Sequence, residues 1–229
     1  MKLRGELIIV DGVSGSGKTS LLDKLRSALQ ERGLTVHQFR EEDLDTHRSQ
    51  ILAARDAAKQ RGRSGNLEMT QALVDHRAAI YRNHVEPELK LGHVGLGDRG
   101  EPATLAYQTK DGDVSMSKVW NLHRRARIRK PNAVLITVCS PETAVARQAG
   151  DTSATRNRDE HGRGLSGKVT FAADASLADK VKKTERLVEQ YRKADSFLKR
   201  NRVPTLTLNT ESMTLMEELD QVLKFLRLK

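Results

Sequence analysis

Leu7-Ile8-Ile9-Val10-Asp11-Gly12-Val13-Ser14-Gly15-Ser16-Gly17-Lys18-Thr19-Ser20 is the stretch on which the fold turns. Its first four residues form a short β-rich run, and Leu21, Leu22, Leu25 and Leu29 then recur at helical spacing up to Gly33. Between strand and helix, Gly12 to Thr19 fits Gly-x4-Gly-Lys-Ser/Thr, in the context that this pattern requires. Glycines there let backbone N–H groups wrap a phosphate chain, and the helix N-terminus adds its partial positive charge. Gly15, Ser16, Gly17, Lys18, Thr19 and Ser20 are therefore candidate nucleotide-binding residues, with Lys18 spanning the β and γ phosphates of ATP and the Thr19 hydroxyl facing Mg²⁺. Gly162 to Lys168 also matches Gly-x4-Gly-Lys, but Val169 supplies no hydroxyl and no strand precedes it, so it reads as a basic loop.

Outward from this stretch the chain alternates. Strands are predicted at 7–10, 34–39, 93–97, 133–138 and 205–208, and helical patterns at about 44–60, 67–91, 101–109 and 115–129, after Pro141, from Asp174 and at the C-terminus. Arg61 to Asn66 is a Gly-rich loop, and residues 150–170 form a long polar excursion. Strands alternating with helices predict an α/β fold, a five-stranded parallel sheet with helices on both faces, within one domain spanning residues 1–229.

Composition narrows the function classes. The 229 residues carry 40 basic and 30 acidic side chains, a formal charge of +10, which favours an anionic partner. Arg124 to Lys130 places five cations together without an anion and reads either as a solvated helix face or as a polyanion site. Cys139 is the only cysteine, which excludes an intrachain disulfide and a zinc site built on several thiolates. Aromatics at 3% leave few base-stacking platforms, and no apolar run is long enough to span a membrane, so a soluble, cytoplasmic protein without a membrane partner is expected.

A second acid is needed on the metal, and Asp98 stands where a buried strand ends. From this point the sequence resembles the thymidylate kinase family and its deoxynucleoside kinase relatives. Asp98-Arg99-Gly100 followed by Thr104-Leu105-Ala106-Tyr107-Gln108 is similar to the family's Asp-Arg-Tyr/His and Ala-Tyr-Gln elements. Pro131-Asn132, the strand 133–138 and Pro141-Glu142-Thr143-Ala144-Val145-Ala146-Arg147 resemble the segment before its lid. The resemblance implies a P-loop NTPase fold with a mobile, arginine-rich lid at 150–170, and an ATP- and Mg²⁺-dependent kinase with a nucleotide or nucleoside acceptor. A homodimer is also compatible with it.

By the same resemblance Thr19 and Asp98 would hold the metal, Arg99 would lie near the acceptor phosphate, Thr104 beside the base and Tyr107 below the deoxyribose. Arg77 looks like the arginine of the family's Asp-Arg element on a long helix, and Arg40 like the first residue of Arg-Glu-Pro-Gly-Gly-Thr. With no arginine in the phosphate loop, Arg158, with Arg156 second, is the expected transition-state cation of the lid. Departures gather on the acceptor side: Ser14 where the family commonly has Asp, Glu42-Asp43-Leu44-Asp45 in place of Pro-Gly-Gly-Thr, Leu73 in place of a Phe, and Gly100 in place of an aromatic. Three readings follow. The first is a kinase acting on a thymidylate-like deoxynucleoside monophosphate. The second phosphorylates a hydroxyl of a deoxynucleoside or of a modified base such as 5-hydroxymethyluracil in DNA, with Glu41, Glu42 or Asp43 as general base. The third is a non-catalytic nucleotide-binding regulator.

Overall fold

The computed structural model describes residues 3–41, 48–60, 67–150 and 176–228. In chain order these form β1 (Leu7–Gly12), α1 (Lys18–Glu31), β2 (Val36–Arg40), α2 (Arg48–Gln60), α3 (Leu67–Ile80), a π-helical turn (Tyr81–Val85) and α4 (Glu86–Lys90). Then follow β3 (Val94–Asp98), α5 (Glu101–Gln108), α6 (Met116–Arg125), β4 (Ala133–Val138), α7 (Pro141–Gly150), α8 (Leu177–Arg200), β5 (Thr205–Asn209) and α9 (Leu215–Phe225). The strands make one parallel sheet in the order β2-β3-β1-β4-β5, as the alternation of elements predicts.

The period-2 geometry of β1 divides its apolar run between two cores. Ile8 and Val10 pack with Leu21, Leu25 and Leu29 of α1 and Leu219 and Val222 of α9, whereas Leu7 and Ile9 pack among α3, α5, α6 and α8. All six residues of β1 are buried, so the strand that leads into the phosphate loop is the centre of the sheet. Ligands of such sheets bind at the carboxyl ends of the strands where the winding reverses, and here that point is the end of β1, between β3 and β4.

Element edges differ from the sequence expectation for identifiable reasons. Leu34, expected to open β2, instead closes α1, its N–H returning to Leu29 O at 3.2 Å. The expected single helix over 67–91 is interrupted by the π turn, just ahead of Pro87, whose missing N–H cannot serve a continuous ladder. The helix expected to reach residue 129 stops at Arg125, because Arg127 turns left-handed (φ 56°) and Ile128 N–H returns to His123 O at 3.1 Å. Within the 124–130 run Arg125 and Arg127 are exposed, while the other three cations are engaged by the fold. Arg124 lies over Trp120 at 4.6 Å, Arg129 clasps Glu86 at 2.9 and 3.0 Å, and Lys130 donates to Asn201 O at 2.7 Å. Arg61 to Asn66, most of the 150–170 lid and the 162–168 motif lie outside the described residues. No helix among the described residues is long and apolar enough to cross a membrane.

Gly95 and Gly97 of β3 leave room for large side chains of the neighbouring strands and for Leu89 of α4. A Cβ on Gly97 would sit 2.7 Å from Ile9 Cδ1 and 2.8 Å from Phe39 Cζ. Gly97→Val is therefore expected to destabilise the protein by roughly 1–3 kcal/mol through overpacking, read as a lower urea midpoint with an unchanged slope.

Candidate functional site

The phosphate loop is shaped by close backbone approaches. Gly12 (φ 144°) and Gly15 (φ 80°) occupy the left-handed half of conformational space, and a Cβ on them would strike the carbonyl oxygens of Thr137 and Ala144 respectively. Ser16 Oγ donates to Val13 O at 2.7 Å and lies 2.7 Å from Thr137 Oγ1, which ties the loop to β4. The Ser16 side chain is thus wholly buried in loop architecture, whereas Thr19 and Ser20 are exposed at the start of α1. Lys18 is 8% exposed and its Nζ donates to Val13 O at 2.6 Å, folding the cation back across the loop. Gln148 of α7 grips the loop from outside, donating to Ser14 O at 3.0 Å.

Asp11, the residue before the motif, is the functional-site residue that the sequence reading passed over. Its Oδ1 accepts from Gly12 N (2.8 Å) and Tyr191 OH (2.8 Å), and its Oδ2 from Gly100 N (3.1 Å) and Ala103 N (2.8 Å). The last two are the cap and third residues of α5, which has no side-chain cap of its own, so Asp11 caps that helix from another strand. Burial pushes this carboxyl up, while Arg99, the Gly12 amide, Tyr191 and Lys18 oppose the shift. A carboxylic acid here would have to turn its O–H toward one of these four donors, so the geometry favours the anion. The available signal was an acid at the end of a buried strand, the same argument that singled out Asp98.

Register brings the remaining side chains together. Arg40 and Asp98 are paired residues of β2 and β3, and Arg40 holds Asp98 Oδ2 through Nε at 2.8 Å and Nη2 at 2.5 Å. Arg99 is 7% exposed and left-handed (φ 74°), with Nη2 3.4 Å from Ser14 Oγ and its guanidinium 6.0 Å from the Tyr107 ring centre. A left-handed arginine beside a carboxylate strand end is the kind of backbone strain that sites retain. Tyr107 in turn packs edge-on against Tyr191. Arg77 of α3 joins Thr104 of α5, its Nη1 donating to Oγ1 at 2.9 Å, and forms a two-pronged ion pair with Glu41. The structure therefore brings Arg40, Glu41, Arg77, Asp98, Arg99, Thr104 and Tyr107 together beside the phosphate loop, at the carboxyl ends of β2 and β3 and along α3 and α5. Glu42, Asp43, Arg156 and Arg158 lie outside the described residues.

The donor set fits a magnesium nucleotide. Among the described residues no three His, Cys, Asp or Glu side chains cluster as a metal cage. One exposed hydroxyl, Thr19, and one strand-end carboxylate, Asp98, are instead what Mg²⁺ takes from a protein when phosphates and waters complete its shell.

A strand, a glycine loop whose lysine opens the following helix, and an acid ending the adjacent strand together define a P-loop nucleotide-binding protein. The thymidylate kinase family model matches residues 10–164. A thymidylate kinase of Halalkalibacterium halodurans is 31% identical over 166 residues, covering 68% of this chain and 74% of that protein. A thymidylate kinase of Hahella chejuensis is 30% identical, covering 63% and 69%, and a probable thymidylate kinase of Staphylothermus marinus is 27% identical, covering 64% and 69%. The chain belongs to the thymidylate kinase family and is an ATP-dependent nucleotide monophosphate kinase. The readings as a DNA-modifying enzyme and as a non-catalytic regulator draw no support from these relatives.

Asp11→Asn tests the buried carboxylate. The amide keeps the size but turns an NH₂ toward one pair of donors, so a loss of about 2–4 kcal/mol in unfolding free energy is expected, with kcat reduced at temperatures where the variant is folded. Wild-type stability in Asp11→Asn would remove this residue from the centre of the site.

Proposed function

We propose that this kinase moves the γ-phosphate of ATP to a thymidylate-like deoxynucleoside monophosphate, as one catalytic unit in which the 150–170 segment acts as the lid. The observation that carries this reading is the convergence of Arg40 and Arg99 beside Asp98 and the phosphate loop, two planar cations suited to an acceptor phosphate. Lys18 would release Val13 O and bridge the β and γ phosphates. Thr19 and Asp98 would hold Mg²⁺, which when bound supplies positive charge to the phosphate oxygens. Thr104 and Arg77 face the base, and Tyr107 lies under the sugar, where its ring disfavours a ribose 2′-hydroxyl. Arg158, with Arg156 as its partner, would enter from the lid to neutralise charge on the transferred group and exclude water.

A phosphate acceptor is already an anionic nucleophile, so it needs cations and alignment and no general base. Glu41 supports this choice over a hydroxyl acceptor. Its carboxylate is engaged at both oxygens by Arg77, an arrangement that suits a structural anion better than a proton acceptor.

Transfer of label from γ-labelled ATP should be efficient to dTMP, weaker to other monophosphates and absent to thymidine. It should stop on chelation of Mg²⁺ and in Lys18→Ala. Transfer to thymidine without transfer to dTMP would overturn the acceptor assignment. Arg158→Ala should lower kcat by roughly 10³-fold with little change in the KM for ATP, as expected of a cation acting in the transition state. Glu41→Gln keeps its shape and should hold kcat within about tenfold. A fall of about 10² to 10⁴ would instead mark Glu41 as a general base and the acceptor as a hydroxyl.

A further inference from the structure

Arg77 is 3% exposed in the last turn of α3, and a guanidinium withdrawn from water must find partners for its five N–H groups. Glu41 takes Nε and one hydrogen of Nη2, the second bond at 2.9 Å. Nη1 donates to Thr104 Oγ1 at 2.9 Å and to His123 Nε2 at 2.6 Å. Four segments therefore meet on this side chain: α3 itself, the residue after β2, α5 and α6. Burial is the largest influence and works against the cation, but Glu41, through its charge and its hydrogen bonds, together with Glu101 and Tyr81 outweighs it and keeps Arg77 protonated.

His123 can serve Arg77 in only one protonation state. Its Nδ1 lies 2.8 Å from Val119 O, which can only accept, so Nδ1 carries the proton and Nε2 presents a lone pair. The ring is fully buried, and burial together with the Arg77 charge pushes its pKa down to about 3. It is a neutral, fixed acceptor across the pH range of a kinase assay. Glu41 holds one edge of the guanidinium, but a carboxylate fork alone leaves the group free to swing about that edge. The two bonds at Nη1 remove the swing. The fifth N–H, the second hydrogen of Nη2, makes no hydrogen bond among the described residues and is the one left to meet an oxygen of the acceptor.

We infer that His123 is a positioning residue of the acceptor site: its neutral Nε2 fixes the plane of the Arg77 guanidinium so that the remaining N–H faces the acceptor nucleotide. The inference rests on the reading of Arg77 as an acceptor contact. His123 itself touches no substrate and transfers no proton.

The experiment compares the wild type, His123→Phe and His123→Gln in steady-state kinetics with ATP and dTMP. His123→Phe keeps a flat ring and removes the acceptor nitrogen, so the KM for dTMP should rise about tenfold with the KM for ATP within about twofold. His123→Gln offers an oxygen to Nη1 and should return the KM for dTMP to within about threefold of wild type. A folded Phe variant with a wild-type KM for dTMP, a parallel rise in both KM values, or a Gln variant no better than Phe overturns the inference, since a purely structural role predicts these outcomes. Should the Phe variant not fold, the wild-type protein decides. The ¹⁵N resonance of His123 Nε2 should report an unprotonated nitrogen and move on adding dTMP, and a resonance unmoved at saturating dTMP overturns the proposal. Failure of the acceptor reading is visible separately, as wild-type enzyme that transfers phosphate to no monophosphate at all, in which case the inference falls with it.

Discussion

The Asp11 carboxylate is the single interaction on which the site depends. It gathers the amide that opens the phosphate loop, the first amides of α5 and the hydroxyl of Tyr191 in α8, all at 2.8–3.1 Å. The N-terminus of α5 carries unpaired N–H groups and a partial positive charge, so an anion there is favoured on both counts. Because α5 also bears Thr104 and Tyr107, the phosphate loop and this helix's buried face are located relative to each other by one side chain. Tyr191 extends the bracket to α8, whose inner face, with Leu187, Tyr191, Ala194 and Leu198, is packed into the core.

Around that anchor, charges are held in matched, partly desolvated pairs: Arg40 with Asp98 and Arg77 with Glu41. Pairs of this kind add little net stability, since the loss of hydration offsets most of the attraction. What they supply is direction. Parallel register sets Arg40 level with Asp98, and a carboxylate fixes the edge of the guanidinium it binds, leaving the plane to be set by further partners such as those at Arg77 Nη1. The close approaches at Gly12 and Gly15 serve the same end for the loop, since each lets backbone pass against backbone where a side chain would not fit.

Much of the architecture was legible because it rests on local rules. Alternating strands and helices at the observed spacing lead to a parallel sheet, and five strands appear close to their expected limits. Where limits moved, a local feature competed with periodicity: the return of Leu34 N–H to α1, Pro87 in the long helix, and the left-handed Arg127 that frees the following cations to bond elsewhere. The charge run at 124–130 was legible only as a count, because a count of cations says nothing of the acceptors folded against Arg129 and Lys130. Glu86 and Asn201 O are distant in the chain and adjacent in space.

The order of residues by itself determined the phosphate loop, since Gly-x4-Gly-Lys-Thr between a strand and a helix has its chemistry within eight consecutive positions. It also marked Asp98, Arg99, Thr104 and Tyr107, whose spacing lies along one strand and the helix after it. Only the tertiary structure decided which charges meet. Asp11 reaches α5 across 89 and 92 positions of chain, Glu41 reaches Arg77 across 36, and His123 reaches Arg77 across 46. Contacts over such separations depend on how helices pack on the sheet, and no local pattern encodes them. The protonation state of His123 is of the same kind, because it follows from burial and from a carbonyl and a guanidinium that the folded chain brings to either side of the ring.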